Sequence, residues 1–235
     1  MYKSIRMFMT LSVCVVAVGC ATVTTDELTA EESQAFSEKT VVMSRYKELP
    51  DFAAQTATNV QFGLLGLAAA KSNGNAMIQN NDIADPAVEI SRQLAAGLAE
   101  NYSLKVVENG EVKAASGKLE NLVEIYQGYD YILDVHTLGW RSIYFPTDWN
   151  SYKVYYTAHA RLIDAANQEV IAEEMCSYAP EFEGSNDAPS YEDLENGNGL
   201  RSELEKSVSH CVDYIATMAK LHKQEKSQNM ASAEQ

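Results

Sequence analysis

The sequence predicts an α+β domain: a small mixed sheet containing an antiparallel three-strand meander, helices packed mainly on one face, and a long C-terminal helix. Three observations carry that prediction. Tyr131, Leu133 and Val135 alternate with Asp130, Asp134 and His136, and Val154, Tyr156, Ala158, Ala160 and Leu162 alternate with Lys153, Tyr155, Thr157, His159 and Arg161. Period two is the mark of half-buried strands. A third strand follows over 169–178, after a turn at 164–168. Finally, Leu200, Leu204, Val208, Cys211, Ile215 and Met218 recur at helical spacing up to about residue 223, which is an amphipathic helix with one buried face.

The remaining elements follow in order. Residues 40–43 are a short strand candidate. Residues 52–70 are apolar, but Gln55, Asn59 and Gln61 interrupt them and the apolar core 62–70 is too short to span a bilayer, so a packed helix or a subunit contact is expected. Residues 72–82, SNGNAMIQNND, read as a Gly/Asn-rich loop. Asp85-Pro86 opens a helix with a side-chain cap and a first-turn proline, and Ile90, Leu94 and Leu98 give it a buried face to about Tyr102. A strand at 104–107, a turn at Asn109-Gly110 and a helix over 117–127 come next. Folding the hairpin about 146–150 sets Leu133 opposite Leu162 and Val135 opposite Ala160. On the other, solvent-side face it sets Asp134 opposite Arg161 and His136 opposite His159, an opposite-charge pair that supports the register independently. Residues 179–199 are an acidic Pro/Gly loop with one short helical turn after Ser190.

Chain organisation starts with an address. Lys3 and Arg6 precede an apolar run over 7–18, too short for a membrane span, so 1–19 is expected to be a signal peptide. It ends in Ala17-Val18-Gly19-Cys20, which resembles the bacterial lipobox, with Ala17 where that motif usually has Leu. The resemblance implies cleavage before Cys20 and acyl chains (diacylglycerol, palmitate) on its thiol; the alternative is an ordinary secretory signal with an incidental cysteine. Ala21 after that cysteine implies sorting to the outer membrane, with the domain in the periplasm. Residues 20–38 are expected to be a flexible tether, 39–223 a single domain, and 224–235 a disordered tail.

Composition agrees with one core and an aqueous surface. Of 235 residues 46% are hydrophobic, and 33 acidic against 18 basic residues leave a net charge of −15. Such a balance speaks against nucleic-acid binding and against an unassisted grip on anionic lipid head groups, so the N-terminal lipid has to hold the chain on the membrane. With Cys14 in the signal and Cys20 acylated, Cys176 and Cys211 remain in an oxidising compartment. A disulfide between them is expected, closing a loop of about 35 residues and stabilising by roughly 3–4 kcal/mol. Two buried free thiols, or a metal site short of ligands, are the alternatives.

Catalytic motifs are missing: no G-x-S-x-G, no Gly-Lys-Ser/Thr phosphate loop, no H-E-x-x-H, and no G-x-G-x-x-G. No enzyme activity and no cofactor are expected. Asp134, His136 and His159 form the one polar constellation with geometry, a weak candidate for Zn²⁺ or proton sharing, against which Arg161 opposite Asp134 argues by neutralising the carboxylate. Trp140, Tyr144, Phe145 and Trp149 cluster near the hairpin end, as core packing or as a partner contact.

The lipobox, the Asp85-Pro86 helix, the hairpin YKVYYTAHARLIDAANQEVIAEEMCSY and the closing helix together resemble small periplasmic lipoproteins of the curli-secretion, penicillin-binding-protein-activator and exopolysaccharide-export type, over roughly 85–222. That resemblance implies a small mixed sheet with helices and the task of assisting an envelope machine, through a protein partner or as a ring of copies. It brings no catalytic residues with it. The expected function is therefore a non-enzymatic outer-membrane lipoprotein acting by protein contact; the alternative is a small periplasmic metal-binding or hydrolytic protein using the histidine face.

Overall fold

In the computed structural model, residues 25–180 and 187–222 are described. The expected signal peptide, Cys20 and the expected tail lie outside them.

The alternating segments build the centre of the molecule. Strand β4 (Tyr131–Phe145) pairs antiparallel with β5 (Asp148–Asp164), and β5 with β6 (Glu169–Tyr178). Leu133 faces Leu162, Asp134 faces Arg161, Val135 faces Ala160 and His136 faces His159, the register predicted from the alternation. Both strands run further than the alternation suggests, because a bulge at Leu138 slips the register by one residue and hides the continuing pattern. A second irregularity, after the Tyr144–Tyr152 pair, brings Phe145 opposite Asp148, so the turn is Pro146-Thr147 rather than 146–150.

Parallel strands complete the sheet. The first, β1 (Thr40–Met43), lies beside β4 at Tyr131–Leu133 and carries on its other side β3 (Lys105–Val107); β2 (Phe52–Gln55) lies against the far half of β4, at Trp140–Ile143. The order is β3-β1-β4-β5-β6, with β2 also on β4. Asp130 pins the start of β1 to the start of β4. Its carboxylate accepts the Thr40 amide and hydroxyl at 2.9 and 2.8 Å and Lys39 Nζ at 2.9 Å, and the Thr40 amide, first among these, holds its pKa down at about 2.

Two helices cover one face. α3 (Pro86–Tyr102) is capped by Asp85, which accepts the Ala87 amide and the Thr137 hydroxyl, and it buries Ile90, Leu94 and Leu98. α6 (Asn198–Met218) buries Leu200, Leu204, Val208, Cys211 and Ile215 against the same sheet face, whereas Met218 at its end is exposed. Cys176 and Cys211, both fully buried, are joined, with 5.5 Å between their Cα atoms. On the opposite face the shorter α4 (Leu119–Ile125), with Leu122 and Tyr126, packs over Val42, Ile132 and Ile163. α5 (Tyr191–Glu195) is the expected short turn, closed by a capping box between Ser190 and Asp193.

Two expectations are corrected. Residues 25–38 do not form part of a tether: α1 (Ala30–Gln34) starts in a capping box of Thr29 and Glu32, Phe36 is fully buried edge-on to Tyr131, and Asp26 exchanges two backbone hydrogen bonds with Glu173 on the outer edge of β6. The segment is polar overall, so its two anchors, Leu28 and Phe36, show no period. Nor is 72–82 a loop, since α2 (Gly63–Asn80) runs through most of it, after a 3-10 turn at Asn59–Phe62.

The glycines of α2 serve close approach rather than turning. Gly66, Ala70 and Gly74 lie on one helix face, and a Cβ on Gly74 would stand 2.0 Å from the Phe52 carbonyl oxygen. Asn75 accepts the Phe52 amide at 2.9 Å, and Asn59 donates to the Ala54 carbonyl at 2.9 Å, so α2 and its turn seal the free edge of β2. Gly74→Ala is expected to push α2 off β2 and cost about 1–3 kcal/mol, read from urea unfolding; an unchanged midpoint contradicts this packing.

Candidate functional site

Asp134 is not on a solvated face. Its residue is 0% exposed, because Tyr46 and the segment leading into α4 fold over this part of the sheet. One carboxylate oxygen accepts Ser44 Oγ and Tyr46 Oη, each at 2.6 Å, and the other accepts Arg161 Nε at 3.1 Å and Nη2 at 2.5 Å. Arg161 Nη2 also donates to the Gly117 carbonyl at 2.6 Å. Burial, followed by the Asp134 charge, raises the pKa of Tyr46 far above its usual value, so its hydroxyl stays a donor and cannot serve as a base.

The histidines sit at the edge of this cluster. His136 Nδ1 is 3.8 Å from Asp134, the two rings meet edge to face at 5.3 Å, and His159 Nε2 is 2.5 Å from Glu173 Oε1. Burial lowers the pKa of His136 and keeps its ring neutral at neutral pH. A metal shell on Asp134, His136 and His159 needs carboxylate lone pairs that hydroxyls and guanidinium already occupy. Among the described residues no group of three His, Cys, Asp or Glu side chains is placed to hold a metal ion. The cluster is an ion network that locks β1, β4 and β5 together.

The aromatic group does not assemble at the hairpin tip. Trp140 is in mid-strand and buried, donating from Nε1 to the Pro50 carbonyl at 2.8 Å and packing edge-on against Phe52. Tyr144 leans on the same core and Phe145 lies under Lys153. Trp149 is 62% exposed. Trp140 and Tyr144 thus pack into the core, one of the two expected readings, and of the four only Trp149 stands exposed near the tip.

The apolar stretch 62–70, expected as a packed helix or a subunit contact, presents the most exposed apolar surface among the described residues. At the start of α2, Phe62, Leu64 and Leu65 are 64%, 84% and 80% exposed, with Val60 and Leu67 beside them. A signal for it was present: no acidic residue occurs anywhere in 52–81, in a chain with 33 of them. Beside this helix an open groove of about 520 Å³ runs over the sheet, lined by Leu67, Leu138, Arg141, Tyr155, Thr157 and Ser177 among others.

No protein-family model matches the chain, and no curated protein does. Solved structures similar to it include the PelC dodecamer from Paraburkholderia phytofirmans, at 15% identity over 87% of this chain and 99% of that one, TM-score 0.38. Lipoprotein GNA1162 from Neisseria meningitidis is 18% identical over 76% of this chain and 99% of that one, TM-score 0.35. The LpoB C-terminal domain from Salmonella enterica is 11% identical over 61% and 84%, TM-score 0.30.

Proposed function

We propose that this chain is a lipid-anchored outer-membrane protein that serves a cell-envelope assembly through protein contact, without catalysis, and that the contact surface is the exposed start of α2. The observation that carries the reading is the rigid presentation of Phe62, Leu64 and Leu65 to solvent. The opposite face of α2 is locked to β2 at Gly74 and to the preceding turn at Gly66, so these side chains cannot turn inward onto β2. Covering each of them is worth roughly 1.5–3 kcal/mol, and contiguous apolar surface of this kind marks interaction sites. Trp149 at the hairpin tip is a second candidate contact.

A photo-crosslinking residue at Leu65 of the full chain, expressed in cells, is expected to form a protein adduct, while the same residue at exposed Glu100 on α3 forms none. Equal labelling at both positions, or lipid adducts alone at Leu65, sinks the proposal. The anchor is tested separately: Cys20→Ser is expected to abolish lipid labelling and release the domain or leave it uncleaved. Retention on membranes after cleavage contradicts it.

A further inference from the structure

The groove beside α2 has a shape and a charge that the other described residues leave unanswered. Its floor is the sheet face formed by Ala53, Arg141, Tyr155, Thr157 and Ser177 on β2, β4, β5 and β6. Among the described helices, α3 and α6 lie on the other face, α4 lies over the distant Val42–Ile132 region, and α2 forms one wall with Leu67. The bulge lifts Leu138 out into it, 45% exposed. Next to it, a Cβ built on Gly139 would meet no heavy atom within 4 Å. Arg141 is exposed and stacks on Tyr155, its guanidinium carbon 4.9 Å from the ring centroid, and no carboxylate among the described residues pairs with it. The other nearby cation, Lys71, is already held by Asp51 at 3.0 Å.

We infer that this groove seats an amphipathic helix of a partner protein, apolar side down on Leu138 and Leu67, with one partner carboxylate on Arg141. The inference rests on the reading of α2 as a protein-contact surface and names the partner's chemistry. A helix is favoured over an added strand because the edge of β2 is closed and that of β6 is closed over Glu173–Met175. Asn59 and Asn75 cap the edge of β2. On β6, Asp26 bonds Glu173, and the next outward amide, that of Met175, donates to the buried Glu174 carboxylate at 2.9 Å. A floor four strands wide spans about 14 Å, enough for a helix about 10 Å across. A single oriented guanidinium between apolar walls suits one carboxylate, bound in bidentate fashion, rather than a polyanion. A concave floor also cannot dip into a bilayer.

The test selects from a displayed library of 18-residue amphipathic helices against the detergent-solubilised full chain. Selected helices are expected to share an Asp or Glu at one position. They should bind at least tenfold more weakly to Gly139→Phe, which fills the floor, and to Arg141→Gln; changing the helix carboxylate to Gln should cost nothing further in Arg141→Gln. Thr157→Trp is the second block if Gly139→Phe disturbs the strand. Failure to select any helix, or binding indifferent to both blocks, overturns the inference. Binding abolished by Leu65→Glu but untouched by the blocks leaves the α2 contact standing and removes the groove. Vesicles of phosphatidylethanolamine and phosphatidylglycerol bound by the wild type and released by Gly139→Phe make it a lipid site, as self-association broken by the same variant makes it a copy interface; either result overturns the inference.

Discussion

Arg161→Met is expected to destabilise the protein by about 3–5 kcal/mol, the cost of leaving a buried charge without its partner. Asp134 has no exposed surface, and half of its hydrogen bonding comes from the Arg161 guanidinium. Ser44 and Tyr46 remain as donors in the variant, but neither carries charge, and the Gly117 carbonyl loses its donor as well. The loss should concentrate where three strands meet, because Ser44 follows β1 while Asp134 and Arg161 sit on β4 and β5. Replacing both members, as Asp134→Leu with Arg161→Met, is expected to recover most of the loss, since an apolar pair has no charge to strand. Urea unfolding of the two variants decides it. A loss under about 1 kcal/mol for Arg161→Met would show that the pair behaves like a surface ion pair.

Cys211→Ala has the second-largest expected effect, a loss of about 2–5 kcal/mol. The cysteines stand 35 residues apart in sequence and join the middle of α6 to β6. Without the bond, α6 is still held by Leu200, Leu204, Val208 and Ile215, so the variant should fold but unfold at lower denaturant. Mass spectrometry of the unreduced chain is expected to find the two cysteine peptides linked. Labelling of both thiols in native protein contradicts it.

What the sequence revealed followed from periodicity. The hairpin register was legible because alternation on both strands and the Asp134/Arg161 pair constrain the same offset, and a one-residue slip would bury the wrong face. α3 was legible from its Asp-Pro cap and its spacing, and α6 from its spacing alone. What failed had no period. α2 carries its packing in absent side chains, and Gly and Asn in that pattern resemble a loop until the neighbouring backbone is placed. The candidate site was misread for a related reason: alternation assigns Asp134 to the outer face of the sheet but is silent on whether the chain returns to cover it, as Tyr46 does. The exposed Leu64 and Leu65 were legible as apolar, and only their position on the outer side of α2 makes them a surface.

Under the proposed anchoring through Cys20, the docking of residues 26–38 has a mechanical consequence. Any pull from a partner arrives first at the two backbone hydrogen bonds between Asp26 and Glu173 and at the Leu28–Ala219 bond beside them. Those bonds grip β6 and the end of α6, the two elements that the disulfide clamps together. A pull that peels this segment then passes along the chain to β1, which is held between β3 and β4 and pinned at Thr40 by Asp130. Fully extended, residues 26–35, ahead of the buried Phe36, span about 33–36 Å, so the bridge acts as a latch on stored slack, and opening it lengthens the leash while Phe36 stays in the core.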